Sequence, residues 1–401
     1  MTLPRMTATV NTQPAITREE MVQRVRALGP AFAERAVRYD RDATFPFENF
    51  ADLKDAGLLA LCVPASAGGL GASFADYARV SAEIGRYCGA TALTFNMHNA
   101  TMLWAGEVSD LLDFTAEERA LHHARRAELF RGVVEDGTIH SQPFSEGISA
   151  GATSGVHTKA EPVDGGFRVT GRKIFASLSG AAHRYNVTCQ VPGEPFIRLL
   201  SIPADADGIE IVGDWDPLGM RGTVSRTLLF TDVFVPEDNE VLPPRGYDQA
   251  AQRFPFLFMS LAPSYLGLTQ GILDFTRLYL RGEGPGQNPG SARRDLTQKQ
   301  AGWAQMQIDY ELGRALLYDV LDTMRIDPDE DMLVKAWAAV YTVMENANQV
   351  ASRAIRVCGG QSMLKSMPLE RMYRDSRLGI TMLPWSGEVC LDRLGKAKLY
   401  E

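Results

Sequence analysis

The stretch that decides the fold is residues 158–185, TKAEPVDGGFRVTGRKIFASLSGAAHRY. Apolar and polar side chains alternate there in two runs, on either side of Asp164-Gly165-Gly166. Such alternation is typical of half-buried strands, and an Asp-Gly pair between two runs is typical of a hairpin turn. Three further β-like runs follow, at residues 186–191, 197–202 and 226–235. The sequence therefore predicts a small, mostly antiparallel β domain over residues 131–243.

Helical patterns flank this β domain on both sides. Upstream, Thr17 and Glu20 fit a capping box, in which each side chain satisfies a free backbone amide of the other. Downstream, apolar residues recur at three- and four-residue steps over 258–275 and 332–344, as in long amphipathic helices. We therefore predict an α+β fold that is mostly α. Its parts are an N-terminal helical domain (1–130), the middle β domain (131–243) and a C-terminal antiparallel four-helix bundle (244–401).

Composition and charge exclude several classes of function. The 401 residues carry 41 Lys+Arg against 49 Asp+Glu, a formal net charge of −8, without the basic stripe that nucleic-acid binding requires. No uninterrupted apolar run reaches about 18 residues, so we expect no membrane-spanning helix. The start of the chain lacks the apolar core of a signal peptide, and the five cysteines are scattered without CxxC spacing. We expect a cytoplasmic protein with reduced thiols and no metal site.

Four strings, in order, carry a resemblance to a known family. They are FPFENFADLKDAGLLALCVPASAGGLGAS at 45–73, the hairpin string at 158–185, DPLGMRGTVSRTLLFTDVFVPEDN at 216–239 and VCGGQSMLKSMPLERMYRDSRLGI at 357–380. Together they resemble the acyl-CoA dehydrogenase superfamily over nearly the whole chain. The resemblance implies FAD bound between the β domain and the bundle, an acyl thioester or other small-molecule substrate, and an electron-accepting flavoprotein. It also implies a homotetramer in which a neighbouring subunit completes the dinucleotide site.

The same resemblance assigns cofactor-binding residues. Phe175 falls where the family places an aromatic ring against the flavin, and Ser177 where a hydroxyl reaches the edge of the flavin ring. Ser141-Gln142-Pro143 is similar to the family's Thr-Glu-Pro loop, but whether Ser141, Ser145 or Ser149 makes the contact stays open. The adenine end and pyrophosphate of a neighbour's FAD would meet Gly359, Gly360, Gln361, Arg293 and Arg294. Three of these assignments have a structural alternative. Phe175 is then a core residue of its strand, Gly359 caps the preceding helix, and the two arginines lie in an exposed loop.

The sequence departs from the family at the catalytic base. Family dehydrogenases remove an α-proton with a glutamate that follows an Arg-Asp pair, and alignment of Gly387 with the downstream helix puts Ser386 at that position. A serine is not a base unaided. Glu388 is the nearest acid and is expected to act as a desolvated base, or else to be a solvated acid in the first turn of a helix. His98 is expected near the flavin or, alternatively, packed in the core.

Three hypotheses about function follow. The leading one is α,β-dehydrogenation of an acyl thioester, carried by CoA or a carrier protein, by an FAD-dependent oxidoreductase. The alternative is a two-component flavin-dependent monooxygenase on the same fold, with FAD or FMN reduced by a separate flavin reductase; the missing glutamate favours it. The third is a flavin-binding scaffold subunit without catalysis.

Overall fold

The computed structural model describes residues 16–147, 155–284 and 293–400. Its amino-terminal part is helical, and the predicted capping box at Thr17 and Glu20 begins the first helix. A second capping box, formed by Ser73 and Asp76, begins the third helix. The fourth helix continues into a π-helical turn at Trp104–Val108. The helices are α1 (Arg18–Asp42), α2 (Phe47–Asp55), α3 (Phe74–Tyr87), α4 (Gly89–Leu103) and α5 (Ala116–Arg131).

A seven-stranded sheet follows and confirms the predicted β domain. Its strands are β1 (His140–Ser141), β2 (Lys159–Val163), β3 (Gly166–Ala176), β4 (Arg184–Gln190), β5 (Ile197–Pro203), β6 (Ile209–Val212) and β7 (Arg226–Pro236). The order is β1-β4-β2-β3-β7-β6, with β5 on β4. Most neighbours are antiparallel, and β4 pairs in parallel with β1 and β2. The hairpin β2–β3 turns at Asp164-Gly165, as predicted.

The carboxyl-terminal part is again helical. Four of its helices, α7, α8, α9 and α11, pack on one another as the predicted bundle. One apolar segment, Pro255–Arg281, is long enough to cross a membrane by length and composition, but 83% of its most apolar window is buried inside the protein. The helices are α6 (Gly246–Arg253), α7 (Ala262–Arg281), α8 (Thr297–Thr323), α9 (Glu330–Cys358), α10 (Pro368–Ser376) and α11 (Gly387–Leu399).

Three glycines bring α3 and α7 into backbone contact. A Cβ atom at Gly267 or Gly271 of α7 would overlap the carbonyl oxygen of Ala82 or Arg86, respectively, and one at Gly85 of α3 would overlap that of Ser264. Because none of these positions has room for a side chain, the two helices approach more closely than side-chain packing would allow. The contact joins the amino-terminal helices to the bundle, and the start of α7 is thereby fixed beside the site described next.

Candidate functional site

A cavity of about 460 Å³ lies where α4, the β domain and the start of the bundle meet. Most of its lining is apolar, and the residues come from six separate segments of the chain. An apolar cavity with a few placed polar groups is the usual form of a small-molecule site. The apolar lining includes Leu93, Met97, Trp104, Phe144, Ile174, Leu257, Phe258, Leu261, Met382 and Leu383.

Phe175 stands at this cavity with an exposed ring. The pairing of β3 with β7 shifts register between Lys173 and Ala176, and Phe175 there has a left-handed φ of 51°. Such an irregularity re-aims a side chain, and Phe175 is 66% exposed although Lys173 and Ala176 on the same strand are buried. The ring meets Trp215 edge to face, with centroids 6.5 Å apart. Phe175 is therefore not a strand-core residue, and its free face suits a planar aromatic group.

A row of hydroxyl groups lies next to Phe175. The Ser177 Oγ is 2.8 Å from the Ser225 Oγ, which is in turn 2.8 Å from the Thr223 Oγ1. All three residues line the cavity. The Ser141 hydroxyl donates to the Ser177 carbonyl oxygen at 2.5 Å, and Ser141 is fully buried. Ser141 therefore holds the backbone of Ser177 in place. Hydroxyls at this place can bond the polar edge of a flavin ring, which is the role the resemblance implies for Ser177.

An ion pair holds the segment around Glu146, which lines the cavity. The ammonium of Lys173, fully buried on β3, lies 2.6 Å from the Glu146 carboxylate and 3.0 Å from the Thr188 hydroxyl. Glu146 also accepts hydrogen bonds from the backbone of His157 and from Thr158. Burial opposes ionisation of Glu146, but the ammonium and these donors prevail and lower its pKa. Glu146 is the charged residue among the described residues that line the cavity, and its carboxylate is already engaged.

The cavity is also lined by two carboxamide side chains, which were not predicted from the sequence as site residues. The Asn96 Nδ2 donates to the Tyr77 hydroxyl oxygen at 2.9 Å. The Gln142 Nε2 donates to the Thr101 hydroxyl oxygen at 3.1 Å. Both residues are more than nine-tenths buried and both line the cavity. The spacing of Asn96 with Leu93, Met97 and Ala100 on one helical face was the available signal for Asn96.

Glu388 is not brought to the cavity. It lies in the first turn of α11 with an exposed side chain, and it is not a lining residue. The expectation of a desolvated base at Glu388 is therefore wrong, and the alternative of a solvated first-turn acid describes its position. Ser386 is the N-cap of α11: its hydroxyl oxygen accepts from the Val389 amide at 3.4 Å. Trp385 is buried against Phe258 and lies outside the lining.

His98 is a packed histidine and does not line the cavity. Its Nε2 lies 2.8 Å from the Leu59 carbonyl oxygen, which fixes Nε2 as the donor, and its Nδ1 accepts from the His140 amide at 3.2 Å. Burial lowers the pKa of His98 to about 4. The two ring nitrogens thus join α4 to the loop after α2, through Leu59, and to β1, through His140. The alternative of a histidine packed in the core describes its surroundings, and a place beside the flavin stays a prediction.

The remaining sequence-assigned residues form a second group at the other end of α7. Arg293 donates to the Cys358 carbonyl oxygen at 3.1 Å, and Tyr279 donates to Gln361 at 3.2 Å. Eighteen residues of α7 and its approach, at about 1.5 Å each, separate Tyr279 from the cavity residue Leu261, or roughly 27 Å. A Cβ at Gly359 or Gly360 would meet open space. Arg294 is exposed. The assignment of this group to a neighbour's dinucleotide stays a prediction.

The other candidates are placed as follows. Ser145 lines the cavity, whereas Ser149 lies outside the described residues. Within the described ranges, no group of three His, Cys, Asp or Glu side chains is arranged to hold a metal ion. The five cysteines are free and buried. The cavity therefore offers an exposed aromatic face, a hydroxyl row, two carboxamides and an engaged carboxylate.

Known protein families match the amino-terminal and the carboxyl-terminal parts of the chain. The acyl-CoA dehydrogenase N-terminal domain model matches residues 17–107, and the acyl-CoA dehydrogenase C-terminal domain model matches residues 244–383, together more than half of the chain. A putative acyl-CoA dehydrogenase of Bacillus subtilis is 27% identical over 382 residues, covering 92% of this chain and 94% of its own.

Solved structures share the fold at lower sequence identity. KijD3, solved with FMN and a dTDP-linked amino sugar, superposes with a TM-score of 0.80 at 23% identity, over 98% of this chain and 95% of its own. A complex of TdsC from Paenibacillus with FMN and indole superposes with a TM-score of 0.80 at 20% identity, over 95% and 97%. TdsC is described as a dibenzothiophene monooxygenase.

Proposed function

Because the chain belongs to the acyl-CoA dehydrogenase superfamily, we propose that it binds a flavin against Phe175 and works as a flavin-dependent monooxygenase on a small, mostly apolar substrate. The family supports an enzyme and a flavin cofactor. When bound in its reduced form, the flavin supplies the electrons with which dioxygen is activated. The protein supplies the stacking face, the hydroxyl row and an apolar enclosure that keeps water from the reacting atoms.

The observation that carries the proposal is the absence of a free carboxylate among the described residues of the cavity. Dehydrogenation of a thioester needs a base within hydrogen-bond reach of the α-proton. Glu146 is held by Lys173, Thr158 and backbone amides, and Glu388 is exposed on α11. Oxygenation by a reduced flavin needs no carboxylate at that place. An apolar cavity suits such a reaction, and KijD3 and TdsC, which share the fold, were each solved with FMN.

A second candidate is α,β-dehydrogenation of an acyl thioester. The observation in its favour is the identity of 27% with a putative acyl-CoA dehydrogenase over most of both chains. This candidate requires a carboxylate from the substrate or from a rearranged Glu146.

The two candidates predict opposite results in one pair of assays. The protein is loaded with FAD or FMN and titrated anaerobically with short-, medium- and long-chain acyl-CoA. In parallel it is given indole as probe, NADH, a flavin reductase and oxygen-18 gas. A monooxygenase leaves the flavin yellow with every acyl-CoA and incorporates one labelled oxygen atom into indole. Bleaching by an acyl-CoA contradicts the proposal and supports dehydrogenation.

We further propose a cytoplasmic homotetramer served by a separate flavin reductase. The Gly359–Gly360 surface, with open space in front of it, lies far from the cavity of its own chain, as expected if it faces a neighbour. Sedimentation at micromolar concentration tests the assembly, and a monomer there contradicts it.

A further inference from the structure

Two cavity carboxamides have orientations that their neighbours fix. Asn96 lies on α4, and Gln142 follows β1. An amide can rotate to present either its oxygen or its nitrogen to a ligand, so the hydrogen-bond partners decide which atom remains available.

The orientation of Asn96 follows from the single proton of the Tyr77 hydroxyl. That hydroxyl donates to the Ser260 carbonyl oxygen at 3.3 Å or to the Ser81 hydroxyl at 3.4 Å. With its proton donated to either of these acceptors, the Tyr77 oxygen accepts the hydrogen bond from Asn96. The Asn96 Nδ2, 2.9 Å away, is the donor. The Oδ1 of Asn96 has no hydrogen-bond partner within the described part of the chain and is the atom left for the cavity.

Gln142 is oriented in the same way. The Thr101 hydroxyl lies 3.5 Å from the Met97 carbonyl oxygen, to which it donates. Its oxygen then accepts from the Gln142 Nε2 at 3.1 Å and from the Asn186 Nδ2 at 2.8 Å. The Gln142 Oε1 is left without a partner among the described residues. The cavity thus receives two oxygens that accept hydrogen bonds and cannot donate them.

From this arrangement we propose that Asn96 and Gln142 determine substrate specificity: the cavity selects neutral, largely apolar molecules that carry an N–H or O–H donor. Anions are disfavoured because both lining carboxamides keep an acceptor oxygen without a partner among the described residues, and no cationic side chain is among the described lining residues. The cavity hydroxyls discriminate less, since they donate as readily as they accept. The identification of the selected molecule as the substrate rests on the proposed function. The selection itself is a difference in binding affinity and does not depend on turnover.

Matched ligands measure the selection without turnover. Indole and benzothiophene have nearly the same shape, but indole has an N–H where benzothiophene has sulfur; carbazole and dibenzothiophene form a second such pair. Their dissociation constants are measured by calorimetry on the flavin-loaded protein under nitrogen. We expect indole and carbazole to bind roughly 3- to 10-fold more tightly than their sulfur partners, the usual worth of one neutral hydrogen bond.

Four variants test whether the carboxamides determine the selection. Asn96→Leu and Gln142→Leu each remove one acceptor oxygen at similar volume, and each is expected to lower the preference for indole over benzothiophene. Tyr77→Phe leaves Asn96 in place but frees its amide to rotate, so the preference falls while benzothiophene affinity stays unchanged. A merely structural role of Tyr77 would weaken both ligands alike. Met97→Leu, which changes only apolar lining on the same helix, is the matched control and keeps the preference.

The outcomes separate this inference from the proposed function. Equal affinities within each ligand pair in the wild-type protein overturn the inference, as does an unchanged preference in both Asn96→Leu and Gln142→Leu. Loss of flavin affinity in these variants with ligand preference intact also overturns it, because the oxygens then serve the N–H group of the flavin. Selective binding without incorporation of oxygen-18 leaves the inference standing and removes the monooxygenase proposal.

Discussion

Replacing Phe175 by alanine tests whether the exposed ring is the stacking face for the flavin. A phenylalanine side chain has about 200 Å² of surface, so its 66% exposure leaves about 130 Å² uncovered. A flavin ring on one face covers about half of this, roughly 65 Å², which at about 25 cal/mol per Å² contributes about 1.6 kcal/mol. Ring stacking adds about 0.5–1.5 kcal/mol. The dissociation constant for flavin should therefore rise about 30- to 150-fold.

The assay is a fluorescence titration of the flavin-free protein with FAD and, separately, with FMN. Phe234→Ala is the matched control, because Phe234 is an exposed phenylalanine of the same sheet that does not line the cavity. We expect the control to bind flavin as the wild type does. If Phe175→Ala stays within about twofold of the wild type and its circular dichroism is unchanged, the stacking argument is refuted.

Three other predictions concern charge and burial. Lys173→Met leaves Glu146 as an uncompensated charge and should lower the free energy of unfolding, measured in urea, by about 3–5 kcal/mol. The exposed control Lys396→Met should lower it by less than about 0.5 kcal/mol. Equal losses in the two variants would contradict the argument from the buried ion pair. Glu388→Gln should leave flavin affinity and turnover within about twofold of the wild type, whereas a loss of about 10²–10⁴ in turnover would restore it as the base. Burial lowers the pKa of His98 in the folded protein to about 4. The contribution of neutral His98 to the free energy of unfolding is therefore complete above the unfolded pKa of about 6.5 and is lost as the pH falls toward 4, a loss of about 3 kcal/mol in all. A urea midpoint with the same pH dependence in His98→Gln as in the wild type over this window would refute this.

The sequence predicted the fold because its signals are local. The period-two alternation at 158–177, the capping box at Thr17 and the apolar repeats of the bundle each depend on residues within one turn or one strand. The hairpin β2–β3 and the long helices α7 and α9 follow these signals. The packing of the bundle on α3 depends instead on glycines far apart in the chain, and no local pattern indicates that contact.

The site was predicted less completely, for a related reason. Phe175 and Ser177 were predicted from the family string at 158–185, and both line the cavity. The register shift that re-aims Phe175 is not indicated by the alternating pattern. Glu388 was misplaced because a change in loop length does not reveal which way the following helix points its first turn. The role of Asn96 depends on the proton of Tyr77, which an earlier helix supplies. Hydrogen-bond direction of this kind is a tertiary property, and residue type alone does not contain it.

The backbone contact at Gly85 and Gly267 bears on how this protein can diverge. Because main-chain atoms rather than side chains set the distance between α3 and α7, the frame around the cavity is insensitive to what lines it. In a saturation-mutagenesis library, the glycine codons of this contact should tolerate almost no replacement. Partly exposed lining positions such as Leu261 and Leu383 should accept many, with little loss of soluble protein. Selection for new substrates can therefore work through pocket residues alone, and the evolvability of the site is a consequence of glycine positions that cannot vary.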